Sequence, residues 1–394
     1  MLEKEELLEI INKKYPSSIT RLQYIKKICS WMERKEIIII KGIRRSGKSH
    51  IMYQLIKRLN NDNTFYINFD DFRFDKFLNT DLLEAIINLR NKSKKSYFFF
   101  DEIQRIKGFE KWLRTYYDKE DNIKFIVGGS NISLMSPDMG TVLTGRNITF
   151  TVYPLSFSEF KSFSKEGFDS YLEFGGFPEV VLEKDEVKKR ELLEQYISDI
   201  ISRDIISKYN LDNPRQLTAL IKFFLSNPGT RISANKLGSQ LGIDRTTAKK
   251  YLSYVMDTFL IFEVPYFSYS AKTRYIGSRS SKYYVIDNGF NTVSTIRKNK
   301  SLLFENLIAL ELIHQKKEIM YWLDNVEIDF VFDKTAIQVT AIDNIPKREF
   351  TAFDEFEKKH KNFKKIIITP TTNKKADKIK LISIEEFVNR FKIK

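Results

Sequence analysis

Residues 36–41, Glu-Ile-Ile-Ile-Ile-Lys, are β-branched through their middle and too short for a stable helix, which predicts a buried parallel strand. Gly42-Ile43-Arg44-Arg45-Ser46-Gly47-Lys48-Ser49 follows at once, and the stretch from His50 to about Leu59 then reads as a helix. A glycine-flanked loop between a strand and a helix start turns its backbone amides toward one point, where the positive end of the helix adds to them. Such a loop cradles an anion. The GxxxxGK[ST] spacing places Gly42 to Ser49 around phosphates, sends Lys48 to the β and γ groups and gives Ser49 to Mg²⁺. His50, at the start of the helix, lies either near the nucleotide or in packing.

A second constraint comes from Tyr97-Phe98-Phe99-Phe100-Asp101-Glu102. Four aromatic residues followed by two acids predict a central strand opening at its carboxyl end into a catalytic crevice. Asp101 is then the acceptor beside Mg²⁺, and Glu102 the base that orients or deprotonates the attacking water. Phe65 to Asn68 predicts another strand, and Asp70 and Asp71 after it read as a solvated turn. Ile103 to Tyr117 has helical spacing. The strand Lys124 to Val127 ends at Gly128-Gly129-Ser130-Asn131, where Ser130 and Asn131 can sense the γ-phosphate or cap the next helix.

The chain of 394 residues is too long for one ordinary core, and 42% apolar content excludes wholesale disorder. Lys and Arg outnumber Asp and Glu by 66 to 51, a formal charge of +15, which favours a polyanion such as DNA. One cysteine, Cys29, cannot form an internal disulfide, so the reducing cytoplasm is the expected location. The opening residues alternate Glu and Lys and no run approaches eighteen apolar residues, so neither secretion nor membrane spanning is expected. The three histidines, His50, His314 and His360, are scattered and support no zinc site.

Further on, residues 161–170 are polar and predict a surface connection. Phe174-Gly175-Gly176-Phe177-Pro178 predicts a rigid turn packed on the nucleotide-binding core, and Lys184 to Ser207 a long helical lid. Ile232 to Tyr254 reads as a helix-turn-helix: Asn235 to Leu241, a turn at Gly242-Ile243-Asp244, and Arg245 to Val255, with Asp244 as cap. Arg245, Thr247, Lys249 and Lys250 stay exposed and suit phosphate contact. Phe259 to Tyr266 supplies a wing strand, and the basic stretch with Lys272, Arg274, Arg279 and Lys282 reads as a solvated loop. Helix Leu302 to His314 with Glu305, strands Glu327 to Phe332 and Thr335 to Thr340, helix Phe350 to His360 and strand Lys365 to Thr369 follow the order of a restriction-endonuclease-like core. Metal-dependent cleavage there needs an acid and a lysine one residue apart on the second strand. Gln338 and Thr340 stand at those places, so Glu305 and Asp329 read as acids without nuclease activity. The Lys374 to Lys380 patch reads as a surface loop.

The phosphate loop with its Arg pair, Asp101-Glu102-Ile103-Gln104, Gly129-Ser130-Asn131, Leu143-Thr144-Gly145-Arg146 and Tyr153-Pro154-Leu155-Ser156-Phe157-Ser158-Glu159-Phe160 resemble an AAA-type ATP-binding family of archaea and anaerobic bacteria. The resemblance implies ATP as the nucleotide, a winged helix in the middle and a closing restriction-endonuclease-like domain. It also implies a finger or sensor role for Arg146, a structural ion pair being the alternative, and with the finger a homo-oligomer such as a ring. The expected architecture is an α/β P-loop NTPase (AAA+-like) core over 1–165, a helical lid and winged helix over 166–265, and an inactive nuclease-like α/β domain over 266–394. The expected activity is Mg²⁺-dependent ATP hydrolysis serving an assembly on DNA. A nucleotide switch acting on a protein, or a scaffold whose last domain only binds, are its rivals.

Overall fold

The isoleucine run forms β1 (Ile37–Lys41), and β2 (Thr64–Asn68), β3 (Ser96–Asp101), β4 (Ile123–Gly129) and β5 (Asn147–Thr151) join it in one parallel sheet of order β2-β3-β4-β1-β5. Its residues alternate between two cores, as a strand buried on both faces must. Ile37, Ile39, Phe98, Phe100 and Phe125 enter one, with Trp112 and Leu113 of helix Phe109–Lys119. Ile38, Ile40, Phe99 and Ile126 enter the other, with Ile51, Met52 and Leu55 of helix Lys48–Leu59. The helix predicted to begin at Ile103 is instead a short 3-10 turn, Ile103–Arg105, and a helix from Phe109. Gly108 between them has φ +79°, a conformation that ends helical continuity.

The computed structural model describes residues 4–11, 15–119, 122–129, 142–211, 214–276, 280–297, 299–372, 374–376 and 378–390. They fall into two units, Met1–Val152 and Tyr153–Lys394. No helix among the described residues is long and apolar enough to cross a membrane.

In the second unit the stretch expected to be a connection is largely helical, Phe157–Phe163 and Phe168–Phe174. Ser156 and Glu159 form a reciprocal capping box that starts the first helix and overrides the polar composition after it. Within this unit the Gly175-Gly176 turn packs against Leu155 and Asp287. The Asp287 carboxylate accepts from Gly176 N at 2.7 Å, and a Cβ on Gly175 would lie 1.7 Å from Asp287 Oδ1. Helix Arg215–Ser226, β6 (Thr230–Arg231), helices Ala234–Leu241 and Arg245–Asp257, β7 (Ile261–Val264) and β8 (Lys282–Val285) follow, the strands pairing antiparallel as β6-β8-β7.

A six-stranded mixed sheet closes the unit: β9 (Met320–Leu323), β10 (Glu327–Phe332), β11 (Thr335–Val339), β12 (Lys364–Thr369), β13 (Lys374–Ala376) and β14 (Ile379–Ser383), ordered β13-β14-β12-β11-β10-β9. β10 runs antiparallel to both β9 and β11, while β11, β12 and β14 are parallel. Helix Lys300–His314 covers one face through Leu303, Leu307 and Leu312, and helix Lys347–Lys359 the other through Phe353 and Phe356. The lysine-rich patch read as a loop is the hairpin of β13 with the start of β14.

Candidate functional site

The phosphate loop leaves the carboxyl end of β1, and Asp101 stands at the carboxyl end of β3, with β4 between them. Ligands of open parallel sheets bind at this end. Gly42 (φ +147°), Arg45 (φ +67°) and Gly47 (φ +93°) coil the loop, and a Cβ on Gly42 would lie 2.0 Å from the Val152 carbonyl oxygen. The Lys48 ammonium donates to the carbonyls of Gly42 and Ile43, each at 3.0 Å. Ser46 is fully buried and its Oγ has no hydrogen-bond partner among the described residues. An orphaned hydroxyl and an ammonium resting on neutral carbonyls are groups that phosphate oxygens would satisfy, so the loop fits the anion its sequence calls for. His50 is exposed, its ring 5.6 Å from that of Tyr53.

Ser49 Oγ donates to Asp101 Oδ2 at 2.5 Å. That hydroxyl and carboxylate would hold Mg²⁺ between them and supply it to the phosphates. A residue that sequence reading passes over completes the arrangement: Tyr66 OH donates to the same carboxylate oxygen at 2.9 Å. Tyr66 packs edge-on to Tyr53 and Tyr15, and burial, then Asp101, pushes its phenol well above the ordinary value. Its one sequence signal is a polar tip among apolar residues of a buried strand. Gly128 leaves room for Asp101, because a Cβ there would come within 3.1 Å of Asp101 Oδ1 and 2.3 Å of Met52.

Glu102 takes the left-handed conformation, φ 53°, which turns the chain sharply at the strand end. Its carboxylate accepts from Gln104, and its pKa is raised by burial and by Asp101, against the lowering effect of Lys48. A carboxyl held above its usual range beside a phosphate site suits proton acceptance near neutrality. Arg21, also unforeseen, is buried and donates to the Ser46 carbonyl at 2.9 Å, bracing the loop from an earlier segment. The Asp70 and Asp71 acids lie against Arg105 and Arg73.

Lys48, Ser49, Asp101 and Glu102 thus come together. Arg146 does not join them. It precedes β5, its carbonyl accepts from Ile37 N at 2.8 Å, and that level is roughly 13 Å along the strand from Lys41. Its guanidinium pairs with Asp118 at 2.9 Å. Ser130 and Asn131 lie outside the described residues, as does Arg279.

Within the second unit, Arg245, Lys249 and Lys250 are exposed on helix Arg245–Asp257, and Thr247 donates to its cap, Asp244. Lys282 is not the solvated lysine its sequence neighbourhood suggests: it is buried, and its ammonium pairs with Glu305, Glu327 and Asp329. The chain after β7 does not project as a free loop at its start. Phe267 N donates to Tyr321 O at 2.6 Å, Tyr321 N donates to Pro265 O at 3.0 Å, and Phe267 is buried against His360, Phe356 and Phe363.

Residues 34–161 match the model of an AAA domain, and residues 165–300 that of a domain of unknown function, DUF8612. The chain is 28% identical over 380 residues to an uncharacterized protein of Haemophilus influenzae, covering 89% of this chain and 93% of that one. Among solved structures it is similar to AMPPCP-bound DnaA from Aquifex aeolicus, at 18% identity and TM-score 0.32 over 60% of this chain and 87% of that one, a likeness too remote to bear on function. It is 33% identical over 334 residues to the uncharacterized protein MJ1544 of Methanocaldococcus jannaschii, covering 77% of this chain and 74% of that one. With its phosphate loop and acidic strand end, the chain belongs to the AAA-type ATPase family that it shares with the Methanocaldococcus protein.

Proposed function

We propose that this ATPase hydrolyses ATP to ADP and phosphate with Mg²⁺ and uses the cycle to remodel or regulate an assembly on DNA. The observation that carries the catalytic half is the convergence of the Ser49 and Tyr66 hydroxyls on Asp101, with Lys48 in the same loop and Glu102 next along the chain. In this reading Lys48 neutralises charge on the β and γ phosphates, Ser49 and Asp101 hold the ion, and Glu102 takes the proton of the attacking water. Arg146 is too far along the strand to act on its own protomer's nucleotide, so a finger role requires a neighbouring copy and release of Asp118.

Support for DNA comes from the exposed cations Arg245, Lys249 and Lys250 on the second helix of the helix-turn-helix. The succession of helix, strand, two helices and two strands supports a winged helix whose wing is partly engaged at Tyr321. The mixed sheet with its flanking helices supports a restriction-endonuclease-like fold, and Gln338 and Thr340 argue against cleavage by it. The engaged wing also favours a second reading, a nucleotide switch acting on a protein.

Steady-state ATP hydrolysis at low salt, with and without single-stranded, duplex and branched DNA, tests both halves. Glu102→Gln should reduce turnover by about 10²-fold or more. DNA should stimulate the native protein several-fold, and Lys249→Glu with Lys250→Glu should remove that stimulation and leave the basal rate. Glu102-dependent turnover indifferent to every DNA would favour the protein target.

A further inference from the structure

The acids of the nuclease-like unit form a compact cluster. Glu305, Glu327 and Asp329 each offer a carboxylate oxygen within 4.8 Å of the others, on the wall of a cavity of about 460 Å³. A restriction-endonuclease-like fold implies a divalent ion at such acids. The donor set here does not fit one. Lys282 Nζ reaches in from β8, lies 2.9 Å from Glu305 and 3.6 Å from Asp329, and pairs also with Glu327.

We infer that the Lys282 ammonium is the permanent cation of this cluster, standing where a divalent ion would sit, so that the cavity works without metal. Three features of the cluster support it. The Lys282 side chain is only 5% exposed, so its charge has no solvent alternative to these carboxylates. Further donors share the same carboxylates: Tyr284 OH donates at 2.7 Å to the Glu305 oxygen that Lys282 meets, Val339 N donates at 2.9 Å to the other oxygen of Asp329, and Arg231 stands 3.8 Å from the other oxygen of Glu327. Gln338, at the place of the ligand acid, is turned to other work, accepting from Asp329 N at 2.8 Å and donating to Glu349 at 2.6 Å. Burial opposes the charge of Lys282, but Glu305, Asp329 and Glu327 outweigh it and keep the ammonium well above the ordinary lysine value, so it cannot act as a base at neutral pH.

The substitution has a mechanical side. Lys282 belongs to the small sheet that follows the helix-turn-helix, while its partners belong to the large sheet and its covering helix. A charge cluster therefore fastens the two together, where a bound ion would make the fastening depend on metal supply.

The test is Mn²⁺ binding by the full chain without nucleotide, read from the spin-resonance signal of free Mn²⁺. An Asp101→Asn background removes the acid of the phosphate-loop site. With Lys282 present the cluster should take up no Mn²⁺ at millimolar concentration. Lys282→Met should bind it at least roughly tenfold more tightly, the effect of removing a like charge about 4 Å away, and a further Glu327→Gln should abolish that gain. Uptake by the Lys282-containing protein that Asp329→Asn removes would overturn the inference, as would a folded Lys282→Met protein that gains none. If Lys282→Met does not fold, the titration of the Lys282 protein with its Asp329→Asn control still decides.

Discussion

Two lysines sit in the two units in opposite ways. Lys48 rests on the carbonyls of Gly42 and Ile43, which are neutral and give up an ammonium readily when phosphate arrives. Lys282 is held by the carboxylates of Glu305, Glu327 and Asp329, which do not. Both side chains are buried; Lys48 opens the helix that follows the phosphate loop, and Lys282 lies on β8. Lys48, on two carbonyls and near the one acid Glu102, can turn to a ligand; Lys282, enclosed by three carboxylates, has become part of the framework.

The largest expected contrast is in stability. Lys282→Ala leaves the buried Asp329 and the half-buried Glu305 without their ammonium, Glu327 keeping Arg231 at 3.8 Å, and should cost about 3 kcal/mol in denaturant unfolding. Lys48→Ala removes hydrogen bonds to two carbonyls and should cost less than about 1.5 kcal/mol while abolishing nucleotide binding. Equal costs would erase the distinction.

Tyr66→Phe sharpens the comparison from the other side. Removing a donor to the Asp101 carboxylate is worth about 1.5–3 kcal/mol, and the Mg²⁺ concentration giving half-maximal hydrolysis should rise roughly tenfold as a result. An unchanged Mg²⁺ requirement with a lowered melting temperature would reduce Tyr66 to packing.

The smallest effect concerns Glu102. Its folded pKa lies above the usual glutamate value, so the native state binds its proton more tightly than the unfolded chain does. Ionised Glu102 therefore weakens the fold increasingly as pH rises from about 4.5, the unfolded value, through the raised one. Glu102→Gln should melt slightly higher than the native protein above that window and coincide with it below about pH 4. Melting curves across pH that keep a constant offset would show that the carboxyl is not under such pressure.

The phosphate-loop site was legible because its parts are contiguous. A strand, a coiled loop and a helix start follow one another over a dozen residues, and Asp101 with Glu102 closes a run of four aromatic residues. The helix-turn-helix was legible for the same reason, with Asp244 capping the helix it precedes. What stayed hidden depends on partners far along the chain. Lys282 sits among basic residues in sequence, and nothing local says that Glu305, Glu327 and Asp329 will surround it. Tyr66 lies in a strand with no local mark of its role, and only the pairing of β2 with β3 brings it to Asp101. The helix after Ser156 could have been read from the spacing of Ser156 and Glu159, a signal outweighed by the polar residues that follow. The β13 hairpin shows the converse: lysines on an edge strand and lysines in a loop are indistinguishable by composition.

Sheet margins recruit other chains when their backbone groups lie open. At β9 the Tyr321 amide and carbonyl are both taken, by Pro265 and Phe267 of the same chain. The end of the segment expected to supply a wing strand thus takes up those two backbone groups, which another chain would otherwise find open. Its docking matters during folding, when an unguarded β9 would be an adhesive surface for every other copy in the same state.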